Sequence, residues 1–555
     1  MSQSLSTEGA RVRWWVAGAF TSAPSGRKFL VTSDSFASEL AKAASGLRAT
    51  VPDRLGGAET RTFEVSFDKL RAFQAMDVIA AVPELKKLQG LTEGFMKADP
   101  SRPLTPEEGA ARIAEVVGEG RLSAAVAAAL GGKPKPEAPA APSTPAPSSG
   151  GGGDLVGELL ANAEASSPTA TAKAGVDAFV KAMAPSAAGP ARMSPDARRA
   201  VRDAIELTLI NTAKDILASG PVARLEAAWR GLKFLLEQCP TSSGIVIEVV
   251  DVEPAQVPEA MEQAVNTEPF ERPDVCFVID ATDDVAQLRR LASVSEEAQV
   301  PVVVAVTPAL LGTTLPELPT ALEDAKLGTQ GDWAELRKED STRWLCPVLN
   351  RMVAASEKRG ALNRASFTSP VFAVAAMLSA SFQGTSGFAR ITGQPGGLRA
   401  PGTWEPSSGK DAGSAYPTEA FLSIRAQTRL AELGILGVGS GRNTDMLLLS
   451  TIPMACSNPH TMPLPAQILT GRIVRFALWV RDQLPAGSSA KDMSDLFSQA
   501  AEVFLFGGSP ELGKLEAQLV PGEGGKQLIK VAAAVKPEQA GTRFQLEFSL
   551  PLRHQ

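Results

Sequence analysis

The stretch "GPVARLEAAWRGLKFLLEQ", Gly220–Gln238, decides how the rest of the chain is read. Leu225, Trp229, Leu232 and Leu236 recur at spacings of +4, +3 and +4, which defines one buried face of a helix. Glu226 and Arg230 stand four apart on the other side, a small favourable pair. Downstream, "GIVIEVVDV", "PDVCFVIDA" and "VPVVVAVT" alternate with helical stretches, the pattern of a mixed or partly parallel sheet. The chain closes on two further strands, "KQLIKVAAAVKPE" and "TRFQLEFSLPLR", the second alternating Phe544, Leu546, Phe548 and Leu550. The fold class expected is mixed α/β.

Upstream of the stretch the organisation changes twice. Residues 8–130 read as a small α/β unit: an apolar strand in "RVRWWVAGAF", a helix in "DSFASELAKAASGL", and a strand carrying Phe63, Val65 and Phe67 on one face. Two helical segments follow, the second opening on a Thr-Pro-Glu-Glu start signal at Thr105. Residues 131–153, rich in Pro, Ala and Gly, form a linker whose span as a coil is roughly 25–30 Å. Residues 154–190 read as short helices. In "DLVGELLANAE", Asp154 is the cap and Leu155, Val156, Leu159 and Leu160 make a narrow apolar stripe. So short a helix needs a partner surface. Residues 191–555 form the larger part.

Composition excludes several classes of function. Across 555 residues the net charge is -6 and Lys and Arg are scattered, which argues against a nucleic-acid binder. Cys239, Cys276, Cys346 and Cys456 show no C-x-x-C spacing, so neither zinc nor disulfides are expected, and a reducing cytoplasm is. The start lacks the pattern of a secretory signal. The longest apolar run, Val371–Ala380, is far short of the roughly 20 residues that span a bilayer, so no membrane insertion is expected.

Catalytic signals are sparse. The two histidines are His460, in a proline-rich turn, and His554 beside the end. "GVGSGR" (Gly437–Arg442) lacks the G-K-[ST] ending of a phosphate loop and the frame of a nucleophile elbow, and reads as a turn between strands. Asp280, Asp283 and Asp284 end an apolar strand, where they could hold magnesium or cap the following helix; the cap is the better reading. No catalytic residue, cofactor or metal site is expected.

At this point a family resemblance enters. Leu225, Glu226, Trp229, Arg230, Gly231 and Leu232 resemble the L-E-x-x-W-R-G-L signature of the large sheath subunit of type VI secretion systems, TssC or VipB. Leu288–Gly312, Trp333–Val353, the passage "FAVAAMLSASFQGTSGFARITGQPGG" and "RLAELGILGVGSGRNTDMLLLS" are similar to further segments of that subunit, in its order. The 8–130 unit resembles the small subunit, TssB or VipA, through "VAGAF", with Ala19 in place of an aspartate, and "TFEVSFDKLRAFQAMDVIAAVPELKKLQGL".

The resemblance implies a fusion protein, small subunit before large, with the contractile-sheath protomer fold: two mixed sheets plus a helical region around the linker. It implies a structural, non-enzymatic subunit of the bacterial cytoplasm that self-associates into rings or tubes around an inner-tube protein, meets baseplate components, and contracts. It also implies a ClpV-type AAA+ unfoldase as partner, with Leu155, Val156, Leu159 and Leu160 as the contact, unless these leucines pack on the helix Glu107–Leu130. Two departures stand out: only about ten polar residues precede Arg11, where the family has a strand-forming arm, and the acidic G-D-Y-E-F segment is replaced by "FVIDATDD". They make the alternative a non-polymerising paralogue acting as adaptor, cap or regulator of the same apparatus.

Overall fold

The computed structural model describes residues 11–96, 105–130, 195–269, 271–406, 412–485, 487–507, 511–522 and 527–552. The linker, the stripe Leu155, Val156, Leu159 and Leu160, and His554 lie outside the described residues. The described chain falls into two compact units, one within Met1–Pro52, Thr60–Val82 and Thr212–Gln555, the other within Asp53–Glu59 and Pro83–Asn211.

The strands of the first unit are β1 (Val12–Gly18), β2 (Arg27–Leu30), β3 (Leu47–Pro52), β4 (Thr60–Val65), β5 (Ile245–Asp251), β6 (Val275–Thr282), β7 (Val302–Val306), β8 (Leu345–Leu349), β9 (Met352–Arg359) and β10 (Leu362–Thr368). They continue with β11 (Leu398–Arg399), β12 (Leu436–Gly437), β13 (Gly439–Ser440), β14 (Met446–Leu448), β15 (Gly513–Pro521), β16 (Gln527–Val535) and β17 (Phe544–Pro551). Helices, numbered along the whole chain, begin with α1 (Phe36–Ala43), α2 (Ala75–Ala81), α3 (Pro83–Met96), α4 (Pro106–Val117), α5 (Arg121–Ala129) and α6 (Pro195–Ala218). Next come α7 (Gly220–Glu237), α8 (Val257–Val265), α9 (Val285–Ala298), α10 (Val371–Thr385), α11 (Ile424–Glu432), α12 (Leu464–Gln483) and α13 (Ala490–Phe504).

The fold is mixed α/β, as the sequence indicates. The expected two mixed sheets need correction: the described strands form one mixed sheet of seven strands and four small antiparallel sheets. The small ones arise where consecutive strands pair locally, as in β9–β10 and β15–β16–β17, rather than crossing over.

The order of the large sheet is β12-β8-β7-β6-β1-β5-β2, and only β2 runs antiparallel to its neighbour. The N-terminal strand β1 is therefore interior, between β5 and β6, which lie more than two hundred residues away in the sequence. Trp14 sits opposite both Ile247 and Val275 in the two registers. Because side chains alternate, Trp15 and Ala17 join Cys276, Val278, Val302 and Val304 in one core against α8 and α9. On the other face the Trp14 indole meets Phe277 edge-on at 5.5 Å and donates to Ser379 Oγ of α10 at 2.9 Å. Burial on both faces explains why the strand reads as an unbroken apolar run.

α10 carries the long apolar run of the sequence, and most of it is buried, on the Trp14 face of the sheet. Among the described residues no helix is long and apolar enough to cross a membrane. The terminal sheet β15–β16–β17 packs on α13 through β15, whose Leu515 and Ala517 are buried while Lys514, Glu516 and Gln518 face outward.

In the second unit, Thr105 forms the capping box that its sequence suggests: its hydroxyl accepts from Glu108 N at 3.2 Å, and Glu108 Oε2 accepts from Thr105 N at 3.1 Å. The segment after it divides into α4 and α5 at Gly118–Gly120. A Cβ on Gly120 would lie 2.1 Å from the Gly56 carbonyl carbon, so only glycine permits that approach.

Candidate functional site

The signature residues lie together on α7, and their partners come both from the N-terminal part of the chain and from the β9–β10 hairpin and α10. Leu225, Trp229, Leu232 and Leu236 are buried, at 2% exposure or less. The Trp229 indole stands edge-on to Phe20 at 5.8 Å and to Phe36 at 5.4 Å. Its Nε1 donates to the carbonyl oxygen of Phe20 at 2.9 Å, so the buried polar atom is satisfied.

The pair Glu226–Arg230 is not the surface pair of the sequence reading. Glu226 is only 1% exposed. Sequence spacing places it off the apolar stripe, but the β9–β10 hairpin covers that flank of α7, and two arginines offset its buried charge. Its carboxylate accepts from Arg230 Nε at 2.8 Å and from both terminal nitrogens of Arg364. Arg364 also donates to Glu357 Oε1 at 2.8 Å and to the Phe73 carbonyl at 3.2 Å. Arg230 reaches the Leu70 carbonyl at 3.2 Å, and Glu357 Oε2 accepts from Ala75 N at 2.9 Å, at the start of α2.

Two carboxylates and two guanidiniums thus balance, and their spare donors and acceptors go to the backbone of Leu70–Ala75. Burial alone would lower the Arg364 guanidinium, but Glu226 and Glu357 more than offset this and hold it above its ordinary value. The geometry is that of a clasp, with no substrate-facing group in it.

Gly231 is where α7 and α10 cross. A Cβ there would lie 2.1 Å from Phe372 Cδ2 and 2.4 Å from Thr368 Oγ1. The Thr368 hydroxyl itself donates to the Ala227 carbonyl at 2.5 Å. Thus the helix face that meets the N-terminal segment and the glycine that seats α10 belong to the same eight-residue signature, Leu225–Leu232.

A second set of contacts holds the end of β1. Asp251 accepts from Phe20 N at 2.8 Å, Thr21 N at 3.1 Å and the Thr21 hydroxyl at 2.7 Å. Asp280 accepts from Ala19 N at 2.9 Å. Burial pushes the Asp280 carboxyl above the ordinary range, with Ala19 N–H and Arg224 opposing and Glu253 reinforcing the shift. Gly18, at φ +153°, has no room for a Cβ, which would meet Ile279 Cγ1 at 2.4 Å. Of the acidic cluster, Asp284 caps α9, accepting from Ala286 N at 2.8 Å, in line with the capping interpretation.

A third charged cluster seats α12. Asp274 accepts from Arg472 at 2.8 Å, Arg475 at 2.6 Å and the backbone N–H of Arg13 at 2.9 Å. Burial pushes Arg475 down to about 10, so it stays charged at neutral pH. The sequence carried no signal for this triad, whose members are some two hundred residues apart. The four cysteines are free and buried, and burial raises Cys239 to about 11 and Cys276 to about 12, leaving both as core thiols. "GVGSGR", expected as a turn between strands, instead ends β12 at Gly437 and forms β13, because its glycines let the chain lie close to α11: a Cβ on Gly439 would fall 1.9 Å from Gln427 Nε2.

Residues 276–453 match the family model VipB, described as EvpB/VC_A0108, tail sheath N-terminal domain. The sequence is 22% identical over 288 residues to the Type VI secretion system sheath protein TssC1 of Pseudomonas aeruginosa, an alignment covering 44% of this chain. The chain spans 58% of that relative's length. Among solved structures, the anti-feeding prophage baseplate and the anti-feeding prophage helical sheath in its contracted state align with a TM-score of 0.32, at 8% and 9% identity. Each alignment covers 59% of this chain and 78% of the other. Four of the segments singled out in the sequence, between Leu288 and Ser450, fall inside the matched region, whereas the signature helix α7 precedes it. Residues 276–453 of this chain are thus similar to the tail sheath N-terminal domain that the VipB model describes.

Proposed function

We propose that this chain is a structural subunit of a type VI secretion contractile sheath, a small and a large subunit fused into one protomer that polymerises around an inner tube and contracts to drive it. The sheath-domain match over residues 276–453 is the observation that carries this reading. The fusion is supported by the placement of β1 inside the large sheet and by the grip of α7 on Phe20, Phe36 and the Leu70–Ala75 backbone. An N-terminal segment that supplies an interior strand behaves as the obligate partner of the rest, and a covalent tether fixes the ratio at one to one.

The work of such a protein lies in subunit packing, so its residues serve as core and interface rather than as catalytic groups. An inner-tube protein, baseplate components and a ClpV-type unfoldase acting at Leu155, Val156, Leu159 and Leu160 are the partners that follow from this reading. Its site of action is the bacterial cytoplasm.

Negative-stain electron microscopy of the purified chain tests the proposal. Tubes or cogwheel-like rings are the expected result. Persistent monomers at high concentration would sink polymerisation and leave the adaptor of the same apparatus.

A further inference from the structure

The sheets of the first unit differ in how they end. The large sheet stops at β12, of two residues, and at β2, of four, both too short to invite a further strand. The terminal sheet has the order β15-β16-β17, so each outer strand, of nine and eight residues, keeps one edge that β16 does not fill.

Those two edges are not alike. Lys536 N donates to the Leu512 carbonyl at 3.1 Å, which fixes the phase of the β15–β16 ladder. Lys514, Glu516 and Gln518 therefore bond to β16, and Leu515 and Ala517 turn their backbone groups away from it. On that side α13 packs against β15, and Ser498 Oγ donates to the Leu515 carbonyl at 3.1 Å. The bond from Leu552 N to the Gln527 carbonyl, 3.4 Å, fixes the phase of β16–β17 in the same way. Even-numbered residues of β17 bond to β16, so Gln545, Glu547 and Ser549 direct N–H and C=O outward. No hydrogen bond from a described residue reaches those outward groups.

The side chains of β17 alternate. Phe544 and Leu550 are buried, with Leu546 and Phe548 half-buried between them, while Gln545, Glu547 and Ser549 are exposed on the other face. The open edge thus runs beside an apolar row that is incompletely covered at its middle.

An antiparallel copy of β17 satisfies both features. Opposed residues share a face, so even-numbered residues must meet even-numbered ones for apolar side chains to stay together. A two-fold axis at Glu547 would set like charges opposite each other. Axes further from the middle carry part of the overlap beyond the strand. An axis at Phe548 avoids both faults. Phe548 then meets its counterpart in a close, non-hydrogen-bonded pair, Leu546 meets Leu550, and Glu547 and Ser549 exchange backbone hydrogen bonds. The Gln545 N–H meets Pro551, which offers a carbonyl and has no N–H to leave unpaired.

We propose that β17 pairs with β17 of a second copy, antiparallel about Phe548, and joins two terminal sheets into one. Self-complementarity selects a second copy as the occupant: one strand supplies both sets of donors and acceptors and both apolar rows. The contact is isologous and closes at two copies, so it does not depend on the sheath reading. A single strand pair buries little area, which makes the dimer weak and concentration-dependent.

Sedimentation velocity of the full chain over a wide concentration range should show a monomer passing to a dimer. Ser549→Pro removes one outward N–H and no bond to β16, a change that edge strands tolerate. It should weaken dimerisation at least tenfold at an unchanged urea midpoint. In Phe548→Cys the two thiols face each other at a separation that a disulfide spans, so oxidation with copper phenanthroline should link two chains. Leu546→Cys faces Leu550 rather than itself and should link at least tenfold less. A chain that stays monomeric throughout, a dimer indifferent to Ser549→Pro, or linking at 546 as readily as at 548 overturns the proposal. If Ser549→Pro lowers the urea midpoint, the two cysteine variants decide. Larger assemblies without a link at 548 overturn the β17 pairing and leave the sheath reading standing.

Discussion

Trp229 Nε1 and the carbonyl oxygen of Phe20 are joined by a hydrogen bond of 2.9 Å across 209 positions of sequence. Both residues are fully buried, and the tryptophan ring is also wedged between Phe20 and Phe36. Trp229→Ala removes the ring and leaves the Phe20 carbonyl without its donor. The expected loss is about 3–5 kcal/mol of stability, seen as a lower urea midpoint. Trp229→Phe keeps most of the ring volume and should lose about 1–3 kcal/mol for the unsatisfied carbonyl. Equal midpoints for the two variants would show that the ring contributes nothing, and a Trp229→Phe midpoint equal to the parent's would show the same of the hydrogen bond.

The charged clasp makes a second prediction. Glu226→Gln leaves Arg364 and Arg230 buried against a neutral amide and should lose about 3–5 kcal/mol. Arg364→Met leaves Glu226 with Arg230 alone and should lose a similar amount. The double variant Glu226→Gln with Arg364→Met should lose less than the sum, because each single change strands the partner's charge. Additive losses in a double-mutant cycle would mean that the two residues act independently despite their contact.

Asp280 predicts a pH dependence. Its carboxyl is raised above 3.8 by burial, so the native state holds the proton more tightly than the unfolded chain does. The stabilising contribution of that proton is present in acid, below the unfolded value, and is lost as pH rises through the raised native value. Asp280→Asn keeps an oxygen for Ala19 N–H while removing the buried charge. The variant should unfold at higher urea than the parent at about pH 7, and the two should converge toward about pH 4. A gap that widens on acidification would reverse the assignment.

The legible and illegible parts of this fold differ in the range of the forces that set them. The α7 stripe, the Thr105 capping box and the alternating strand at Phe544–Leu550 depend on residues a few positions apart, and sequence period reveals them. "RVRWWVAGAF" is likewise readable as a strand. Its position between β5 and β6 is not, because an apolar run records burial on both faces without naming its neighbours. Glu226 misleads for the same reason: helical spacing places it off the stripe, and only the β9–β10 hairpin and Arg364, 138 residues away, turn that flank into an interior. The Asp274–Arg472–Arg475 cluster is invisible to any local window. Family likeness marked α7 as important, and the structure adds what its polar residues hold.

The place of β1 leads to the last prediction. Its backbone pairs with β5 along seven positions and with β6 along four, and its end is held by Asp251 and Asp280. A protease site inserted between residues 131 and 153 removes the tether and leaves those contacts unchanged. The tether supplies an effective concentration on the order of millimolar, and its loss weakens association only if the contacts themselves are weak. Removing an interior strand would expose two sheet edges and the apolar faces that Trp14 and Trp15 cover, a far larger cost. After cleavage under native conditions the two fragments should therefore elute together in size-exclusion chromatography and separate only in denaturant. In the Trp229→Ala background they should separate at lower urea. Fragments that part on dilution of the cleaved native protein would show that the linker, rather than the shared sheet, holds the protomer together.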